Sequence, residues 1–283
     1  MNPFIESIQK VLTIGNGAGD AASPMLAHAD VFRARAAIAN TSDPNLMLAR
    51  HMAALLAISD ERPLFIPSFN YDFTRTRIYT PVHDVSQVGV LTEHARTQWA
   101  SWRCGPPVFN FSCNMPTEPS LPCAGDVDPF GANTVFSLLH RAGGKVLMYG
   151  APFSSFTFMH YIERLTGGPA YRYDKLFIGV VQGKDGIETP VQLNYHCRPM
   201  GKTLEYDWIK LRSDTETQGI VHAFKAPGSE VLLIDISLIC QFWQDQLQRD
   251  PLYLLNQDSR AWVEPELNRL GRRFVVSDFE GVS

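Results

Sequence analysis

The hydrophobic pattern of this 283-residue chain changes period near residue 173, and that change limits the folds open to it. Before this point, stretches with helical spacing of apolar residues alternate with short apolar strands. After it, two runs of period two, 175–182 and 189–197, flank Gly183-Lys184-Asp185-Gly186, which predicts a β-hairpin. We therefore predict a mixed α/β fold with α+β features, in which a central sheet is flanked by helices and carries an added antiparallel section.

Other segments are predicted from the same spacing. Helices are expected over 4–12 and 46–58, and strands over 24–29 and 63–69. Further on, a strand over 230–236 precedes a helix over 237–248. We expect that helix to direct Leu238, Cys240, Phe242 and Trp243 toward the core. The Gly-rich segment 15–20 lacks the lysine of a P-loop and predicts a turn.

The composition excludes several classes of protein. With 45% hydrophobic residues and no linker or low-complexity segment, we expect a single domain over 1–283. No apolar run approaches the ~20 residues of a membrane span, and the first residues lack the pattern of a secretory signal, so we expect a cytoplasmic protein. A net charge of −4 without runs of Lys or Arg argues against a nucleic-acid partner.

The middle of the chain has a clearly punctuated helix-strand-loop-helix unit. Asn133 or Thr134 is expected to cap a helix over 135–141, and Gly143-Gly144 ends that helix before a strand over 145–149. In an open α/β sheet, ligands bind beyond the carboxyl ends of strands, where the next loop begins. The loop after this strand is therefore the first place to look for a site.

The helix after that loop carries three side chains that are able to support chemistry. Ser154 or Ser155 is expected to cap it, and Thr157, His160 and Glu163 follow at a spacing of three, along one side. A neutral imidazole oriented by a carboxylate can take a proton from a nucleophile. Spacing alone favours a plainer interpretation, with a capping Thr, a half-buried His and a solvated Glu. Zinc needs a third ligand that nothing nearby supplies, so we expect no metal.

Several motifs occur in a fixed order around this helix. The first is Asp128-Pro129-Phe130-Gly131-Ala132-Asn133-Thr134, and Thr157-x-x-His160-x-x-Glu163 follows it. The others are Pro67-Ser68-Phe69 with Phe73, Ser86-x-Val88-Gly89-x-Leu91-Thr92-Glu93-x-x-Arg96, and Pro169-x-Tyr171-Arg172-Tyr173-x-Lys175-x-Phe177. Together they resemble the aminoglycoside 3-N-acetyltransferase family over most of the chain, and this ordered set favours the catalytic interpretation of His160.

The resemblance implies an acetyl-CoA-dependent N-acetyltransferase that moves an acetyl or similar acyl group to a primary amine of an aminoglycoside or amino sugar, within a ternary complex. By position, His160 is the general base, with Glu163 beside it and Thr157 near the thioester. The residues that correspond to the CoA site are His28, Ala29, Phe130, Gly131, Asn133, Thr134 and Ser155. The expected partner is a small-molecule amine, with no nucleic acid or membrane, and a homodimer is an option.

The chain departs from the family pattern in two places. Family members usually carry His-Ser-Ser at the end of the first strand, whereas this chain has His28-Ala29-Asp30. The usual His-Pro after Arg-Ser is replaced by Arg103-Cys104-Gly105-Pro106-Pro107. The alternative function is therefore a catalytically degenerate member that binds a ligand or a partner. The aromatic residues Trp99, Trp102, Phe109 and Phe111 are more typical of a core than of a sugar-binding surface.

Overall fold

The computed structural model describes residues 2–14, 23–117 and 119–281, with only the backbone at 13 and 14. The predicted turn at 15–20 lies outside these residues. The helices are α1 Pro3–Ile14, α2 Pro44–Ser59, α3 Phe73–Thr76, α4 Val90–His94, α5 Val135–Arg141, α6 Met159–Leu165, α7 Trp208–Thr217, α8 Ile236–Arg249 and α9 Gln257–Leu270. The strands are β1 Met25–Ala29, β2 Leu64–Pro67, β3 Ile78–Tyr79, β4 Trp102–Cys104, β5 Phe111–Cys113, β6 Gly125–Val127, β7 Lys145–Tyr149, β8 Tyr173–Gln182, β9 Glu188–Cys197, β10 Val221–Ala226 and β11 Ser229–Asp235.

A seven-stranded sheet in the order β10-β11-β7-β1-β2-β5-β4 forms the centre of the fold. Its three middle strands, β7, β1 and β2, are parallel, and the adjacent strands β11 and β5 run antiparallel to them. The carboxyl ends of β7, β1 and β2 therefore meet at one edge of the sheet, where loops are able to form a site.

Both faces of the central sheet are covered. Along β7, Val146 and Met148 belong to the core that contains α5, α6 and α8, whereas Leu147 and Tyr149 belong to the core that contains α1 and α2. Alternate side chains of a strand point to opposite faces, so a strand buried on both faces must be apolar throughout. This explains why 145–149 was recognisable as a strand in the sequence.

The hairpin of β8 and β9 forms a second sheet, in the order β3-β8-β9-β6. It is the added antiparallel section that the change of period predicts, and the mixed α/β prediction is confirmed. None of the helices among the described residues is both long and apolar enough to cross a membrane.

Two local predictions are wrong. Neither Ser154 nor Ser155 caps α6, because both lie in a 3-10 turn, Phe153–Ser155, and the helix begins only at Met159. The rings of Phe153 and Phe156 stack with centroids 5.8 Å apart and fix this turn to the core. On α8, Leu238 is exposed, because the buried stripe runs through Ile236, Ile239, Cys240, Trp243 and Leu247.

Candidate active site

His160 and Glu163 meet at the start of α6. The Nδ1 atom of His160 lies 2.7 Å from Oε2 of Glu163. The carboxylate is fully buried, while 18% of the His160 side chain is exposed. An ionised carboxylate only accepts hydrogen bonds, so the neutral imidazole carries its proton on Nδ1 and has a free lone pair on Nε2. The helix thus holds an oriented imidazole with one free nitrogen, and the spacing of three places the two side chains on one side of it as predicted. The solvated Glu of the plainer interpretation is wrong, because Glu163 is fully buried.

The second oxygen of Glu163 is held by side chains outside α6. The hydroxyls of Tyr171 and Tyr206 donate to Oε1 over 2.9 and 3.0 Å. The Arg172 guanidinium lies 3.8 Å from Oε2 and donates to the Tyr206 hydroxyl over 2.7 and 2.9 Å. A buried carboxylate is stable only when it is paired and hydrogen-bonded, and these three side chains meet that requirement.

This environment sets the charge states of the pair. Burial, together with the positive charge of Arg172, lowers the pKa of His160 to about 4, although Glu163 acts in the opposite direction. Burial alone would raise the pKa of Glu163, but Arg172 and His160 outweigh it and hold that pKa below its usual range. At neutral pH the site therefore contains a neutral imidazole backed by an ionised carboxylate.

Two cavities lie beside the segment that leads into α6. The first, which we call the strand-end cavity, has about 550 Å³ and lies beyond the carboxyl ends of β1, β2 and β7, against Ala29, Pro67 and Ala151. The second, which we call the aromatic cavity, has about 480 Å³ and contains His160 in its wall together with Phe130. Cavities of this size are typical of small-molecule sites.

The two cavities share part of their walls. Tyr71, Ser155 and Thr157 line both of them. The loop between β7 and α6 supplies Ser155 and Thr157, and His160 follows one helical turn later, with its backbone N–H donating to the Thr157 carbonyl over 3.1 Å. Two molecules, one in each cavity, would thus meet at the wall that Ser155 and Thr157 form, one helical turn before His160.

The structure places most, but not all, of the predicted site residues in these walls. His28, Ala29, Ser155 and Thr157 line the strand-end cavity, and Phe130, Ser155, Thr157 and His160 line the aromatic cavity. Gly131, Asn133 and Thr134 are not among the residues that line either one. The Thr134 hydroxyl donates to the Gly131 carbonyl over 2.9 Å and accepts from the Ser137 N–H, so it caps α5 as predicted. A role in CoA binding stays a prediction for these three residues.

Several residues of the site have no role that the sequence alone identifies. Tyr171 and Arg172 belong to one of the family motifs, whereas Tyr206 belongs to none of them. Phe109 was assigned to the core, yet it also lines the aromatic cavity, whereas Phe111 is buried away from it. The tyrosines come from separate segments, so no spacing in the sequence links them to Glu163. Among the described residues, there is no group of three His, Cys, Asp or Glu side chains suited to a metal ion.

Comparison with known proteins places this geometry in a family. The family model described as aminoglycoside 3-N-acetyltransferase matches residues 44–248. No curated protein matches the sequence significantly.

Solved structures share the fold at low sequence identity. AAC-IIIb, solved as a binary complex with CoASH, is 18% identical, with 87% of this chain and 96% of that chain covered and a TM-score of 0.64. The apoenzyme of AAC(3)-IVa is 19% identical, with 92% and 93% covered and a TM-score of 0.63. Sisomicin-bound AAC-VIa is 16% identical, with 87% and 97% covered and a TM-score of 0.59. The chain belongs to the aminoglycoside 3-N-acetyltransferase family and is an acetyl-CoA-dependent N-acetyltransferase.

Proposed function

We propose that this chain transfers an acetyl or similar acyl group from acyl-CoA directly to a primary amine of an aminoglycoside or amino sugar, with His160 as the general base. One observation carries the proposal: His160 lies in the wall of one cavity, one helical turn after Thr157, which lines both cavities. Direct transfer needs both substrates in a ternary complex, and two cavities that meet beside one base suit it.

The strand-end cavity is the proposed site of the acyl donor. A structure with the same fold, AAC-IIIb, holds CoASH. The cavity is lined by the ends of parallel strands and by small side chains such as Ala29 and Ala151, which leave room for the pantetheine arm. The acceptor amine then occupies the aromatic cavity. AAC-VIa, which also shares the fold, binds the aminoglycoside sisomicin.

The chemistry follows from the charge state of the pair. The neutral amine attacks the thioester carbonyl, and an N–C bond forms. Nε2 of His160 takes the proton from that nitrogen, while Glu163 stabilises the imidazolium through Nδ1. The tetrahedral intermediate then collapses, the C–S bond breaks, and the CoA thiolate receives the proton from His160. The products are an amide and free CoA thiol.

The negative charge on the carbonyl oxygen needs a donor during this step. The backbone N–H groups of Ser155 and Phe156 donate to Pro152 and Phe153 within the 3-10 turn. The Thr157 hydroxyl makes only a 3.3 Å hydrogen bond to the Ser155 carbonyl and is able to rotate. We therefore assign the oxyanion contact to the Thr157 hydroxyl.

The second candidate function is a degenerate member that binds a ligand or a partner without catalysis. It rests on the segment His28-Ala29-Asp30, which lacks the two hydroxyls of the family pattern. The Asp30 carboxylate accepts from the Phe32 N–H over 3.0 Å and so caps a turn of its own chain. Calorimetry with acetyl-CoA separates the two functions, because absence of binding at millimolar acetyl-CoA would favour the second.

The test of the proposed function is a thiol-release assay with acetyl-CoA and varied amines, in which both substrates are titrated. Direct transfer predicts intersecting initial-velocity lines and a product that carries the acetyl group on nitrogen. Parallel lines would indicate a covalent acyl-enzyme and contradict the ternary complex.

Four further expectations stay predictions: a cytoplasmic location, a single domain over 1–283, the absence of nucleic-acid and membrane partners, and a homodimer.

A further inference from the structure

The Arg172 guanidinium lies close to Glu163 without bonding to it. Its Nε atom is 3.8 Å from Oε2 of the carboxylate, which is too far for a hydrogen bond. An arginine beside a carboxylate often forms two parallel hydrogen bonds with it. Here Nε and Nη2 donate instead to the Tyr206 hydroxyl over 2.9 and 2.7 Å, and Nη1 donates to the His196 carbonyl over 3.1 Å. Each nitrogen of the guanidinium therefore has an acceptor other than Glu163.

The Tyr206 hydroxyl links the two charged groups. It accepts from Arg172 and donates its own proton to Oε1 of Glu163 over 3.0 Å. The other oxygen, Oε2, accepts from Nδ1 of His160 over 2.7 Å. The carboxylate is thus divided, with one oxygen held by tyrosine and the other held by the imidazole.

Tyr206 is held in place from outside α6. The Asp207 N–H donates to the Leu254 carbonyl over 2.9 Å, and the Asn256 N–H donates to the Glu205 carbonyl over 3.1 Å. The Tyr206 side chain is buried, and its ring packs edge-on against Trp208 at a centroid distance of 5.4 Å. These contacts fix the position of the hydroxyl independently of the helix that carries the base.

Tyr171 provides a natural comparison. Its hydroxyl donates to the same Oε1 atom over 2.9 Å, and its side chain is also buried. Among the described residues, however, no hydrogen bond joins the Tyr171 hydroxyl to Arg172. The two tyrosines therefore make the same contact with the carboxylate and differ in their contact with the guanidinium.

We infer, on the basis of the function proposed above, that Tyr206 is a positioning residue for the general base. Its hydroxyl keeps Arg172 away from Oε2 of Glu163 and so reserves that oxygen for His160. Without the hydroxyl, two N–H groups of a buried guanidinium lose their acceptor, and Oε2 is only 3.8 Å away. A direct pair of Arg172 with Glu163 would compete with Nδ1 for this oxygen. The imidazole would then lose the partner that keeps its proton on Nδ1 and its lone pair on Nε2.

The first test compares Tyr206→Phe with Tyr171→Phe in the thiol-release assay. We expect kcat to fall by about tenfold in Tyr206→Phe and by less than about threefold in Tyr171→Phe, with KM for acetyl-CoA unchanged in both. Tyr253→Phe is the matched control, because it removes a hydroxyl that donates to Asp214 and should keep wild-type kcat. Equal falls in Tyr206→Phe and Tyr171→Phe would overturn the inference, since loss of either hydrogen bond to Oε1 would then suffice.

A spectroscopic readout makes the inference independent of turnover. Nitrogen NMR of histidine-labelled protein at pH 7 reports which imidazole nitrogen carries the proton, and His160→Ala identifies the signal of His160. We expect the Nδ1–H form in the wild type and in Tyr171→Phe, and a share of the Nε2–H form in Tyr206→Phe. A pure Nδ1–H signal in Tyr206→Phe would contradict the inference. If no amine released thiol but the signals changed as expected, the proposed function would fail and the positioning role of Tyr206 would stand.

Arg172→Lys tests the same link from the other side and does not require that Tyr206→Phe folds. Lysine keeps the charge but lacks the planar fork that spans the Tyr206 hydroxyl and the His196 carbonyl, so its ammonium is free to approach Oε2. This variant should also show the Nε2–H form, and a pure Nδ1–H signal would contradict the inference. Adding Tyr206→Phe to it should lower kcat by less than about twofold further, because the link is already broken. A further tenfold fall would show that Tyr206 acts independently of Arg172.

Discussion

The two cavities are built in different ways. The strand-end cavity is lined mainly by segments that follow β1, β2 and β7, together with residues 88–92 around the start of α4, so the parallel strands of the sheet position most of its wall. The aromatic cavity is assembled from side chains as distant as Tyr71 and Trp208. A cavity of the first kind is largely fixed by the sheet, whereas one of the second kind depends on many long-range contacts. On the proposed function, the donor site therefore follows from the fold of the sheet, whereas the acceptor site depends on the packing of separate segments.

The largest effect on stability is expected on the aromatic side, from Glu163→Gln. Arg172 would lose its buried counter-charge, so we expect the free energy of unfolding to fall by about 3 kcal/mol. Glu163 acts through His160 as a positioning residue. The neutral amide no longer fixes the imidazole tautomer, and kcat should fall by about tenfold or more, with KM for acetyl-CoA unchanged. Urea unfolding and steady-state kinetics measure the two effects.

The matched control is Glu266→Gln, which removes a carboxylate from an exposed pair with Arg269. Neither stability nor kcat should change measurably there, because exposed ion pairs contribute little. If Glu163→Gln retained wild-type kcat at normal stability, Glu163 would have no part in positioning the base.

A smaller effect should appear in the pH dependence of stability, to which buried histidines of both cavities contribute. Burial lowers the pKa of His28 in the strand-end cavity and of His160 in the aromatic cavity from 6.5 to about 4. Between these pH values the unfolded chain binds protons that the folded chain does not. Stability should therefore fall as pH falls from 6.5 to 4, by up to about 1.4 kcal/mol per pH unit for each histidine.

His28→Gln isolates the contribution of the strand-end cavity. The Nε2 atom of His28 is buried without a hydrogen-bond partner among the described residues, so nothing there stabilises the charged form. The variant should show a shallower slope of melting temperature against pH, and His222→Gln, at an exposed position of β10, should keep the wild-type slope. An unchanged slope in His28→Gln would indicate that this ring is protonated in the folded protein.

The same contrast explains what the sequence could predict. The limits of α5 and β7, the capping role of Thr134 and the contact of His160 with Glu163 depend on neighbours within one or two helical turns, and the structure agrees with each of them. The two tyrosines that hold Glu163 depend on the packing of separate segments. Phe109 is predicted to lie in the core, and it is almost fully buried. That prediction does not reveal that the residue also lines a cavity.

At Ser154 and Ser155, by contrast, a local sequence preference predicts a helix cap that the structure does not contain. A serine before an apolar helical stretch is a common N-cap, but the stacked rings of Phe153 and Phe156 determine the local backbone. Tertiary burial of two aromatic side chains outweighs a cap that contributes about 1 kcal/mol. The loop between β7 and α6 is longer as a result, and it carries Ser155 and Thr157 into the shared wall of the two cavities.

The most direct measurement is acetyl transfer by a His160→Ala protein, with and without added imidazole. If His160 takes the proton from the amine, kcat should fall by about a hundredfold or more while acetyl-CoA affinity stays normal. Free imidazole should then restore part of kcat, whereas His222→Ala should keep wild-type kcat and show no response to imidazole. Full activity of the His160→Ala protein, with acetyl-CoA bound normally, would contradict the assignment of the base.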